Sequence, residues 1–139
     1  MKTRILLPFM IIALALSFTA CKEAEATSAS EEPVDTTLTI QETRWAETGS
    51  GEEDPVVYNP LEAGDTVYDY MDCEIEIGSV TEDRIVLDID GCLVEPNDNG
   101  SINLNADPLE EVELEAGESI TLVSQTMDAG IRLVITYEG

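Results

Sequence analysis

The chain has 139 residues, thirty of them acidic, six basic and none histidine, for a formal charge of −24. That balance excludes nucleic acid as a partner, because binding it requires Lys and Arg to neutralise phosphates. Without histidine there is no His-based acid–base chemistry, no Ser-His-Asp or Cys-His nucleophile and no His-ligated metal.

Lys2 and Arg4 form a short positive segment ahead of the apolar run Ile5–Leu16. That run is shorter than the roughly 20 residues a spanning helix needs. It has the layout of a secretory leader, which stands outside the fold. The sequence Phe18-Thr19-Ala20-Cys21 closes it and resembles the lipobox of bacterial lipoproteins, with Phe18 where the pattern usually has Leu. The resemblance implies cleavage before Cys21, lipidation of the Cys21 sulfur and acylation of the new amino terminus by chains such as palmitate. The protein is then expected on the extracytoplasmic side of the cell membrane, held there through lipid on Cys21. Acyl chains contribute roughly 0.8 kcal/mol per buried CH2, so several of them hold a small domain firmly.

Removing residues 1–20 leaves four basic against thirty acidic residues, a net charge of −26. Such a surface repels anionic headgroups, so lipid rather than protein is expected to touch the membrane. Residues 22–37 are polar, acidic and nearly free of large apolar side chains. Such a stretch buries too little surface to offset its ordering entropy. It predicts a lipidated Cys and flexible acidic tether over 21–37, and one domain with one modest core over 38–139.

The domain reads as strands. Leu38 and Ile40 alternate with polar residues, then Arg44 and Trp45 precede a Gly- and acid-rich loop over 49–55. Val56-Val57-Tyr58 is a short apolar run. Thr66–Ile77 is the longest strand candidate, and Ile85–Ile89 returns beside it. Leu93-Val94 leads into a turn over 95–100, after which Ile102 with Leu104, Val112 with Leu114, and Ile120 with Leu122 alternate. The last strand places Ile131, Leu133, Ile135 and Tyr137 on one face. Short alternating runs split by Gly, Pro, Asn and Asp, with no sustained helical period, predict an all-β domain. The expected architecture is a small antiparallel β-sandwich, Ig-like or jelly-roll-like. Leu61-Glu62-Ala63-Gly64-Asp65-Thr66-Val67 recurs as Leu114-Glu115-Ala116-Gly117-Glu118-Ser119-Ile120. One turn solution used twice explains this better than a duplication, with Gly supplying positive φ before a strand.

The central hairpin is the most specific expectation. Cys73, Ile75 and Ile77 share one parity with Ile85, Leu87 and Ile89, so both trios line one buried face. Pairing Ile77 with Leu87 and Ile75 with Ile89 leaves Thr81-Glu82-Asp83 as the loop. It also sets Glu74 opposite Asp90 and Glu76 opposite Asp88 on the outer face, with Tyr68 and Tyr70 on the same parity. Cys73 and Cys92 are expected to form a disulfide, as two cysteines in an exported chain commonly do. A bulge at Asp90-Gly91 would bring them level.

Asn97, Asn99, Gly100 and Ile102 match part of an EF-hand loop, but Ala106 stands where its bidentate Glu belongs, and an Asn-Gly turn accounts for them. Trp45, Tyr58, Tyr68 and Tyr70 are either core or a stacking surface. The expected function is a non-catalytic binding or interaction role at the cell envelope, as a monomer, with no cofactor and with an envelope protein or a basic partner. The alternative is a cation- or small-solute-binding accessory domain in which Glu74, Glu76, Asp88 and Asp90 are the metal ligands.

Overall fold

The computed structural model describes residues 32–139; the leader, Cys21 and the tether up to residue 31 lie outside the described residues. The described residues form ten strands and no helix, in two antiparallel sheets. The first sheet holds β1 (Thr37–Ala46), β2 (Gly49–Glu52), β3 (Val56–Tyr58), β7 (Leu93–Val94), β9 (Ser119–Ser124) and β10 (Gly130–Glu138). Its order is β2-β1-β10-β9-β7, and β3 pairs β1 beside β2. The second sheet holds β4 (Thr66–Tyr70), β5 (Cys73–Val80), β6 (Arg84–Asp90) and β8 (Glu111–Glu115), in the order β4-β5-β6-β8. The two form a small open β-sandwich, as the alternation predicts.

Alternation places the core. Leu38 and Ile40 of β1 and Ile131, Leu133, Ile135 and Tyr137 of β10 are buried from one sheet. Ile75, Ile77, Ile85, Leu87, Val112 and Leu114 are buried from the other, in the same cluster. Burying one such side chain is worth about 1.5–3 kcal/mol, so this shared layer drives the two sheets together. The domain begins earlier than residue 38. Val34 exchanges backbone bonds with Leu61 (2.8 and 3.0 Å), and Thr36 is buried. The end of the expected tether is therefore stitched into the domain, because Val34 supplies the apolar, pairing residue that the stretch before it lacks.

Thr66–Ile77 is not one strand. It folds back at Met71-Asp72, whose φ values of 52° and 59° make a two-residue turn, so that Tyr70 pairs with Cys73. Asp72 tolerates this conformation, but Met71 does not favour it, and Asn followed by Gly suits such a turn best. Replacing Met71 by Asn and Asp72 by Gly should therefore stabilise the domain by about 1 kcal/mol, read as a raised urea midpoint at unchanged slope. The ladder also slips between Thr66 and Tyr68, which sets Tyr68 opposite Ile75. Val67 and Tyr68 are consequently both buried, and the expected place of Tyr68 on the outer face is corrected.

The β5–β6 hairpin has the expected pairs Ile77–Leu87, Ile75–Ile89, Glu76–Asp88 and Glu74–Asp90. Its end differs. A bulge after Ile77 shifts the register, Val80 pairs with Ile85, and the Thr81 amide donates to the Arg84 carbonyl (2.8 Å). The connection is thus Glu82-Asp83 rather than three residues. Likewise, 49–52 is strand β2 returning on β1, where a loop was expected. Ile102 and Leu104 lie in the long irregular segment between β7 and β8, not in a strand. The side-chain amide of Gln125 holds that segment by donating to the carbonyls of Asn103 (3.0 Å) and Ala106 (2.6 Å). Beneath it Val94 and Val123 pair across β7 and β9 and are buried outside the main core.

The repeated segment is one turn used twice. The Asp65 amide donates to Glu62 (3.2 Å) and the Glu118 amide to Glu115 (2.9 Å). Gly64 and Gly117 have φ of 92° and 90°, as the third position of a type II turn requires. Each turn then grips a strand by the same two bonds. Gly64 donates to Ile77 (2.7 Å) and Gly117 to Tyr137 (2.8 Å), and the amides of those residues donate back to Asp65 (2.9 Å) and Glu118 (3.0 Å).

Candidate functional site

The outer face of the second sheet is built of carboxylates. Outward positions of β5 and β6 place Glu74 opposite Asp90 and Glu76 opposite Asp88. The neighbouring strands lengthen both rows, because Asp69 of β4 faces Glu74 and Glu111 of β8 faces Asp88. Glu113 and Glu115 continue the edge beside Arg84, whose guanidinium meets Glu113 at 3.2 Å. Glu74, Glu76, Asp88 and Asp90 rim a hollow of about 170 Å³. Gly78 leaves space for the Asp88 side chain, since a Cβ there would lie 2.6 Å from its carboxylate.

The four residues proposed as metal ligands are thus neighbours. Yet among the described residues no group of three or more Cys, Asp or Glu side chains is placed to hold a metal ion. A calcium ion takes six to eight oxygens around it, whereas a flat sheet face points its carboxylates outward in parallel. The arrangement suits a broad cationic surface better than a single ion. Like charges directly opposite each other are destabilising. Glu76→Lys should therefore stabilise the domain by about 0.5 kcal/mol at low salt by facing Asp88, and thermal melts in 0.5 M NaCl should shrink the gain.

The outer face of the first sheet is different in kind. Thr39, Thr136 and Ser119 form one cross-strand row, Gln41, Val134 and Thr121 the next, and Thr43, Arg132 and Val123 a third. Across β1, β10 and β9 these rows hold no carboxylate, and Glu52 of β2 extends the third beside Thr43. Trp45 follows at their end, half-buried, opposite Gly130. A Cβ on Gly130 would meet the indole at 2.3 Å, so glycine makes the space for the ring. Trp45 is therefore neither core nor fully exposed.

The inward parity of β1 carries charge that went unremarked in the sequence. After Leu38 and Ile40 the same face continues as Glu42 and Arg44, opposite Leu133 and Ile131. Arg44 donates to both Glu42 oxygens, approaches Glu53 at 4.0 Å and stacks over the Tyr70 ring at 4.1 Å. The hydrogen bond it donates to Glu42 raises the Arg44 pKa and keeps it charged. Tyr68 lies beside them with its hydroxyl unpaired, and burial, reinforced by the Glu42 charge, pushes its pKa up. Tyr58, whose hydroxyl donates to the Val67 carbonyl (2.5 Å), closes this end. The signal was legible: the even-numbered residues of 38–44 change from apolar to charged halfway along one strand.

The expected cysteine pair is brought together but not joined. Gly91, at φ 135°, turns the chain out of the second sheet, and the Sγ atoms of Cys73 and Cys92 stand 3.9 Å apart as two thiols. Burial raises the Cys73 pKa. The expected bulge has its counterpart in the Gly91 kink, while the expected bond is absent from the structure.

The fold and its faces define a small two-sheet β-domain with one carboxylate-rich face and one face of mostly neutral side chains. The chain matches no family model, no curated protein and no solved structure.

Proposed function

We propose that the protein is a lipid-anchored, extracytoplasmic binding domain that presents its acidic sheet face to a basic partner at the cell envelope and performs no catalysis. The observation that supports this most is the pairing of Glu74 with Asp90 and Glu76 with Asp88, extended by Asp69 and Glu111. Charges placed opposite one another work against the fold, and solubility needs no such placement. A lysine-rich partner converts the repulsion into attraction, and electrostatic complementarity speeds its encounter. The leader resemblance supports the anchor at Cys21. The 3.9 Å approach of Cys73 and Cys92 supports their oxidation to a disulfide outside the cytoplasm by exchange with an oxidised dithiol catalyst.

Retention of the full chain on an immobilised oligolysine peptide tests the face. Wild type should bind at 20 mM salt and elute by 0.5 M. A Glu74→Gln, Glu76→Gln, Asp88→Asn, Asp90→Asn variant should lose most of that retention, and equal retention would reject the acidic face as the binding surface. Intact mass of membrane-extracted protein tests the anchor, which predicts loss of residues 1–20 and added acyl mass on Cys21.

A further inference from the structure

The outer face of the first sheet ends in a pocket that the acidic face does not share. Thr43, Trp45, Ile102, Leu104, Met127 and Arg132 line a volume of about 630 Å³, within the range of small-molecule sites. Leu104 and Met127 are 51% and 69% exposed beside it, apolar surface that no neighbouring segment covers. The pocket exists because the segment between β7 and β8 folds back across the end of the sheet and sets Ile102 and Leu104 against β1 and β10.

Arg132 is the unusual member. Arg44 and Arg84 each pair with a carboxylate. Arg132 pairs with none among the described residues, in a chain that holds thirty acids. Among the described residues its guanidinium makes one hydrogen bond, from Nη2 to the Gly100 carbonyl (2.8 Å). A guanidinium has five donors in a planar fork that matches a carboxylate bidentately. Glu52, across from Thr43 on β2, and Asp128, beside Met127, do not line the pocket. The site therefore offers one positive fork at the side of an apolar wall.

We propose that this pocket binds a small amphiphilic monocarboxylate, with its head on Arg132 and its hydrocarbon part against Trp45, Leu104 and Met127. One negative charge matches one guanidinium. A doubly charged phosphate would gain no second cation and would meet the acidic field of the whole domain. A sugar would gain little from the apolar surface of Leu104 and Met127 and would carry no charge to match Arg132. The proposal is independent of the acidic face, which lies on the other sheet.

Trp45 is the single tryptophan of the chain, so its emission reports on this pocket directly. The probes are hexanoate, 1-hexanol and hexylammonium, titrated at constant ionic strength into the full chain in lipid nanodiscs. Hexanoate should shift the emission saturably with a dissociation constant of about 1–10 mM, given its few atoms. Hexanol should bind roughly tenfold more weakly for want of the charge-assisted bonds, and hexylammonium should give no saturable shift. Arg132→Gln should weaken hexanoate roughly tenfold and leave hexanol unchanged. Met127→Glu, at a position exposed enough to leave the fold intact, should weaken hexanoate by a similar factor through like-charge repulsion. Equal binding of hexanoate and hexanol, an undiminished hexanoate response in both variants, or no saturable response to hexanoate would each overturn the proposal.

Discussion

Replacing Tyr137 with alanine should cost about 3–5 kcal/mol, as for other large aromatics removed from a core. Tyr137 is among the largest fully buried side chains. It also ties separate parts of the sandwich. Its hydroxyl donates to the Thr81 carbonyl at the β5–β6 connection, linking β10 of the first sheet to the hairpin of the second. Its backbone exchanges two bonds with the Gly117-Glu118 turn. Alanine keeps the backbone bonds, opens a cavity and leaves the Thr81 carbonyl unpaired. Phenylalanine keeps the packing and loses only the hydroxyl bond, at about 1 kcal/mol. Since domains of this size are stable by about 5–15 kcal/mol, the alanine variant should lose on the order of 15–25 °C in Tm. Urea denaturation checks the ranking, with alanine far below phenylalanine at similar slope. Equal losses would mean that the hydroxyl bond, not the packed ring, carries the effect.

The parts of this fold that follow from period-two alternation are legible in the sequence, and the parts that depend on a one-residue slip are not. The parity of Cys73, Ile75 and Ile77 against Ile85, Leu87 and Ile89 is enough to place Glu74 opposite Asp90 and Glu76 opposite Asp88. The bulge after Ile77 is hidden, because Gly78 reads equally well as a strand residue or a kink. The Met71-Asp72 turn is hidden because Met71 has no preference for positive φ and one Asp stands out little in so acidic a chain; a further trace is Asp69 falling on the inner parity of a continuous strand. Val34 is a single apolar residue in an acidic run, too little to register as part of the domain. The pocket at Trp45 joins residues near 45, 102–104, 127 and 132, and only the path of the segment between β7 and β8 brings them together. Arg132 gives no hint in the sequence of being the arginine without a carboxylate, since acids are frequent all along the chain.

Gly91→Ala should destabilise the domain by about 2–4 kcal/mol. Two costs combine. The backbone at φ 135° lies where side-chain-bearing residues are strained, at about 1–2 kcal/mol for left-handed conformations. The added Cβ would also lie 2.8 Å from the Asp72 carbonyl oxygen, 2.9 Å from the Cys73 Cα and 2.9 Å from the Cys73 Sγ. Two of these three are backbone atoms in the β4–β5 hairpin, so no rotamer change relieves the contact, and such overpacking costs about 1–3 kcal/mol. Gly117→Ala separates the two causes. Its φ of 90° imposes a conformational cost, but a Cβ there would meet nothing within 4 Å, so it should lose only about 1 kcal/mol. Both variants should be melted under reducing conditions, so that any Cys73–Cys92 link does not contribute. A Gly91→Ala loss well above that of Gly117→Ala places the added cost in the contact with Cys73. The same displacement should move the two sulfurs apart, and non-reducing peptide mapping of the exported protein should then find less of the linked peptide in Gly91→Ala than in wild type. If the two glycine variants melt together, the approach of Gly91 to Cys73 is looser than the structure has it, and the crossover from β6 to β7 yields to the methyl group.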